Sequence, residues 1–119
     1  MEVSALILGS ALGGCARYGA SLAAARWFGG GIPYGTLFVN LLGCLLIGLL
    51  SGHKGPNSMM RLLLVVGFCG SFTTFSTFAL ETLQMLESGH FVRAIGVVLV
   101  SVTVGLAFVR AGISLSRLL

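Results

Sequence analysis

Aspartate is missing altogether, and lysine occurs only once, at Lys54. Without an aspartate, Ser/His/Asp catalysis is excluded. Charge of either sign is scarce: 8% of residues, against about 25% in an ordinary soluble protein. A soluble chain this small must cover a large surface with polar groups, and this one cannot. The three cysteines, Cys15, Cys44 and Cys69, are odd in number and form no CxxC pair. That excludes a disulfide framework and a thiolate metal site, and leaves small buried packing residues. Clusters of metal-ligating residues, phosphate-binding loops and basic runs suited to nucleic acid are also lacking. The opening residues carry Glu2 rather than a basic cluster, and the first apolar run outlasts a secretory leader, so no removable signal peptide is expected.

What is present is apolar length. The 119 residues are 56% hydrophobic, with mean hydropathy +1.05. An integral membrane protein of one domain is expected. About 20 apolar residues cross a bilayer, and the chain divides into four such runs, at about 5–27, 36–50, 59–86 and 91–115. The turns between them are "GGGIP", "SGHKGPNS" and "ESGH", and His53 and His90 read as ordinary turn residues. Small residues recur four apart in Gly9/Gly13, Gly48/Gly52 and Ser101/Gly105. Such spacing lets helix backbones approach closely in lipid. With four crossings, Lys54, Arg61, Arg110 and Arg117 fall on one side, and Arg26 and Arg93 on the other. Loop cations set orientation, and so weak a bias permits insertion both ways.

Several polar groups lie at membrane depth. Arg17 sits in the middle of the first run, where a charge costs a few kcal/mol. It needs a wet cavity, a bound anion or helix carbonyls to cap. Asn40 in the second run is either glue between helices or a donor to a small anion. The third run contains "GFCGSFTTFSTF", residues 67–78. On an unbroken helical wheel Phe68, Phe72, Phe75 and Phe78 form one stripe, and Thr73, Thr74 and Thr77 cluster opposite. Phenylalanine at that spacing is ordinarily packing. The hydroxyls and Gly67/Gly70 point instead to a helix broken mid-membrane near Gly70 to Thr73, where freed carbonyls can face a cation. Ring edges are the positive part of an aromatic quadrupole and favour an anion. Glu81 is the only acid in the apolar interior. It is either an interfacial carboxylate hydrogen-bonded to Thr77 or Thr82, or a gate or proton carrier at a pore mouth.

"GTLFVNLLGCLLIG" followed by "GFCGSFTTFSTFALET", with an early "GGCARY", resembles the Fluc (CrcB) fluoride channels of microbes over essentially the full length. The resemblance implies an antiparallel, dual-topology homodimer in the cytoplasmic (inner) membrane. It implies two pores that export fluoride passively and select against chloride. It also implies a structural sodium ion at the dimer centre, held by backbone carbonyls of Gly70 and Thr73. Carried over by motif position, the pore residues are Phe75, Phe78, Asn40 and Arg17, with Thr77 in the same hydroxyl-rich segment. Ser101 and Thr103 stand in a hydroxyl track on the fourth span, and Glu81 and Thr82 lie near the pore mouth. Some relatives carry a tyrosine where this chain has Val97, so any role of that tyrosine does not transfer. A small dual-topology, proton-coupled multidrug exporter shares the length but needs an acid deep in the first span, where this chain has Arg17. A non-transporting interaction protein accounts for the small-residue pairs but not for Asn40, Arg17 and the hydroxyls together.

Overall fold

The computed structural model describes residues 1–52 and 56–119; His53 and Lys54 lie outside the described residues. All regular structure among these residues is helical. Helix α1 is Glu2–Phe28 and α2 is Tyr34–Ser51. Helix α3 covers residues 58–72 as three stretches in line: a turn at Ser58–Met60, a π-helix at Arg61–Cys69, and an α-turn at Gly70–Phe72. Thr73 and Thr74 are extended, with φ/ψ of −87°/159° and −152°/116°. Helix α4 follows at Phe75–Glu87 and α5 at Phe91–Ser116.

Local chemistry sets these bounds. Asn57 opens α3 by accepting the Met60 N–H at 2.9 Å. Thr74 opens α4 in the same way, accepting from the Thr77 N–H at 3.3 Å. Gly89 closes α4 with φ +79°. The His90 N–H reaches the Met85 carbonyl at 2.8 Å and the Gly89 N–H reaches that of Leu86 at 3.0 Å. That pair is a Schellman cap, which glycine suits because it adopts positive φ without a Cβ clash.

Among the described residues, three stretches are long and apolar enough to cross a membrane: Tyr34–Ser51, Ser58–Glu87 and Phe91–Ser116. Helix α1 is longer than α2, ~40 Å at 1.5 Å per residue, but Glu2, Arg17 and Arg26 dilute its apolarity. The molecule measures 47 × 29 × 22 Å. Its long dimension matches a bilayer with its headgroups, about 40–45 Å.

Packing is by backbone contact more than by a broad side-chain core. Helix α3 lies on α1, and α5 lies on α2. At the first seam a Cβ on Gly9 would run into the Leu63 carbonyl, and one on Gly13 into the Phe68 carbonyl. At the second, a Cβ on Gly48 would strike the Val109 carbonyl and sit 3.1 Å from the Gly112 Cα. Gly105, of the Ser101/Gly105 pair, is looser: its nearest neighbour would be the Cys44 sulfur at 3.4 Å. Val39 (0% exposed) and Cys69 are the largest side chains buried completely. Cys15, expected to be buried packing, is exposed on the outer face of α1 instead. Leu8, Leu12, Leu99 and Leu106 are likewise exposed, as helices bathed in lipid require.

Candidate functional site

The site begins with Asn40. Its position on α2 sets it opposite the extended pair, where its amide grips one peptide unit from both sides. Oδ1 accepts the Thr74 N–H at 2.7 Å, and Nδ2 donates to the Thr74 carbonyl at 3.0 Å. Asn40 thus acts as a strand edge for a single residue, in a chain with no strand among its described residues. Thr74 is only 9% exposed, so water does not replace these bonds. Close by, Gly43 on α2 makes room for the Thr73 methyl group.

This grip changes what the carbonyls of α3 can do. In a continuous α-helix the Gly70 carbonyl receives the N–H of Thr74; here that N–H goes to Asn40. The Thr73 carbonyl would receive the N–H of Thr77; here that N–H goes to the Thr74 hydroxyl. Gly70 and Thr73 therefore each lose their helical partner, for identifiable reasons. The Cys69 carbonyl, between the turns, is doubly engaged by the Thr73 N–H at 3.1 Å and the Thr73 hydroxyl at 2.9 Å. Two unengaged carbonyls three residues apart fit a hard monovalent cation, which takes oxygen ligands. No group of three or more His, Cys, Asp or Glu occurs among the described residues, so a cation held here would be held by backbone.

The aromatic residues differ from the single stripe expected of an unbroken helix. The extended pair divides them. Phe68 and Phe72 stack at 5.5 Å on α3, with Phe72 4% exposed. Phe75 and Phe78 form a second pair on α4, with centroids 5.9 Å apart and planes at 46°. Phe78 packs on Met85, Ala94 and Val97, whereas Phe75 stands 78% exposed. Val97 is part of that apolar wall.

The hydroxyls divide too. Thr74 donates to the Thr77 oxygen at 3.0 Å, Thr82 to the Phe78 carbonyl at 2.7 Å, and Thr103 to the Leu99 carbonyl at 2.6 Å. Thr103 is therefore satisfied within its own helix. Ser101 is the opposite case, since its Oγ is buried and has no partner. One of the two readings of Glu81 has its carboxylate bonded to Thr77 or Thr82. It is not: the Thr82 hydroxyl turns back along α4, and the Glu81 Oε2 is buried with no partner. Unsatisfied polar atoms in a buried setting are few in native proteins and call for an explanation.

Glu81 lines a cavity of about 420 Å³ at one end of the bundle, between the C-terminal turns of α1, the 29–33 loop, α4 and the start of α5. Thr36, 6% exposed and one turn before Asn40 on α2, lines it as well. Its spacing from Asn40, i to i+4, was the signal that could have singled it out. Arg17 is half-buried on α1, one turn before Ser21, which lines the cavity. The structure thus joins Asn40, Thr74, Thr77, Phe75 and Phe78 at the extended pair, and sets Glu81 and Thr36 in the adjoining cavity.

Comparison with known proteins converges on one group. Residues 4–113 match the family model described as CrcB-like protein, Camphor Resistance (CrcB). The chain is 47% identical to a protein of Chloroflexus aurantiacus named fluoride-specific ion channel FluC, over 98% of this chain and 95% of the relative. A protein of Paracoccus denitrificans with the same name is 47% identical over 92% and 90%, and one of Dehalococcoides mccartyi is 39% identical over 99% and 94%. These relatives are named as ion channels, not enzymes.

Proposed function

The chain belongs to the CrcB family, and on that footing we propose that it is a fluoride-selective channel, giving passive fluoride export across the cytoplasmic membrane. In this reading α1, α2, the run from α3 through α4, and α5 make four crossings, and two copies pair antiparallel to enclose two pores. A sodium ion lies between the copies as a structural element.

The observation that carries the reading is the double grip of Asn40 on Thr74. It holds open the segment that a conducting pore needs to be irregular. Irregular backbone at membrane depth is tolerated only where it is buried in protein or lines a cavity. The carbonyls of Gly70 and Thr73, without their helical partners, would hold the sodium ion. Bound there, the ion would supply positive potential and cross-link the two copies.

The remaining groups suit fluoride. It is small and strongly hydrated, so its water must be replaced by several donors. Asn40 Nδ2 has a second hydrogen beyond the one given to Thr74. Ser101 has a buried hydroxyl without a partner. The Phe75 and Phe78 edges add weak positive character. Thr77 stands beside them, Glu81 and Thr82 lie toward the mouth, and Arg17 stands one turn before the first of the α1 residues that line the cavity. None of the donors beside Phe75 carries a full charge, and neutral donors favour release as well as binding, as conduction requires. The exporter reading is weaker: the only acid on α1 is Glu2, exposed in the first turn.

The test is fluoride efflux from proteoliposomes, read with a fluoride electrode. Efflux that begins when a potassium ionophore dissipates charge is expected. Absence of flux, or flux strictly coupled to protons, overturns the channel reading. Unchanged flux from protein whose sodium site is proven empty overturns the sodium assignment alone.

A further inference from the structure

The 420 Å³ cavity holds two groups that the channel reading leaves without a task, Arg93 and His90. Arg93 stands in the first turn of α5, and His90 is its N-cap residue, making no side-chain cap bond. A cation in the first turn of a helix is at the wrong end of the helix dipole, which disfavours it by about 0.3–1 kcal/mol. The arrangement therefore does not serve α5. Nor is Arg93 there to satisfy Glu81, because the buried Oε2 of that carboxylate makes no hydrogen bond to it or to anything else described. The guanidinium instead lies along the loop: a Cβ on Gly31 would sit 3.6 Å from its Nη1. The positive end of α5 and the Arg93 charge consequently act on the same space.

We propose that this cavity is a loading site for a small monovalent anion, and that Arg93 is the residue setting its occupancy. The inference rests on the channel reading and adds a step to it: the anion collects against Arg93 before it loses water further in. Arg93 is exposed, so its pull acts through solvent and salt screens it. Glu81, deeper and unpaired, repels an anion that lingers, which keeps the site one of passage.

The experiment compares wild type, Arg93→Gln and Arg93→Lys in vesicles of zwitterionic lipid, with fluoride efflux measured against ionic strength set by an impermeant salt. Between about 10 mM and about 1 M the screening length falls from ~30 Å to ~3 Å. At the dilute end Arg93→Gln should release fluoride roughly tenfold more slowly than wild type, the low end of electrostatic focusing by charged clefts. The two should converge at high salt, and Arg93→Lys should follow wild type throughout. A ratio of Arg93→Gln to wild type that is the same at every ionic strength overturns the proposal, as does a wild-type profile flat in salt. If Arg93→Gln does not insert, Arg93→Met takes its place under the same criteria. Wild type that releases no fluoride at any salt brings down the channel reading itself, which separates the two failures.

Discussion

Replacing Asn40 with alanine removes both bonds that hold the Thr74 peptide. Thr74 is buried, so its N–H and C=O are then left without partners. Leaving a buried donor or acceptor unsatisfied costs about 1–3 kcal/mol. The N–H alone therefore implies local opening about 5- to 150-fold more frequent, at 1.4 kcal/mol per tenfold. Hydrogen exchange of a peptide covering residues 72–76 reads this directly, and fluoride efflux reads its consequence. Asn40→Asp divides the two roles of the side chain. It keeps an acceptor for the Thr74 N–H but sets a second oxygen against the Thr74 carbonyl and a negative charge beside the anion path. It should retain more exchange protection than Asn40→Ala and conduct no better. If Asn40→Ala leaves exchange at Thr74 unchanged, the grip does not hold the extended pair in place and the derivation of the freed carbonyls fails with it.

Other perturbations probe neighbouring links. Phe75→Ile and Phe78→Ile should slow or abolish fluoride efflux while size-exclusion profiles stay unchanged; normal conduction in both would reduce the ring pair to packing. Thr74→Val removes the N-cap of α4 and should lower stability by about 0.5–2 kcal/mol, seen as a reduced melting temperature in detergent. Gly48→Ala places a methyl group against the Val109 carbonyl and should cost about 1–3 kcal/mol by overpacking; an undiminished melting temperature would show that the α2–α5 seam yields.

Composition pointed to the segment where helical geometry changes, because glycine and hydroxyls at membrane depth are hard to explain otherwise. It did not point to the residue. The expectation centred on Gly70 to Thr73, whereas helix persists through Phe72 and the extended pair is Thr73 and Thr74. The reason lies outside the segment: Asn40, 34 residues earlier, chooses Thr74. The single Phe stripe failed because a wheel assumes one continuous period, and two extended residues reset the phase. The π-helix at Arg61–Cys69 had no sequence signature, since its residues are as apolar as those of any crossing. Arg93 was visible only as a loop cation, because its place beside Gly31 and Glu81 depends on how α5 meets the 29–33 loop.

The glycine seams have a consequence for inheritance. Every one-base change that replaces glycine with another residue adds at least a methyl group. At Gly9, Gly13, Gly48 and Gly112 that methyl meets backbone atoms of the opposing helix, which cannot rotate aside as a side chain can. These positions have no conservative neighbour in the genetic code, and a lone change there is repaired only by a second change that shifts a whole helix. The lipid-facing leucines and valines are freer, since there one aliphatic side chain exchanges for another without meeting a neighbouring backbone.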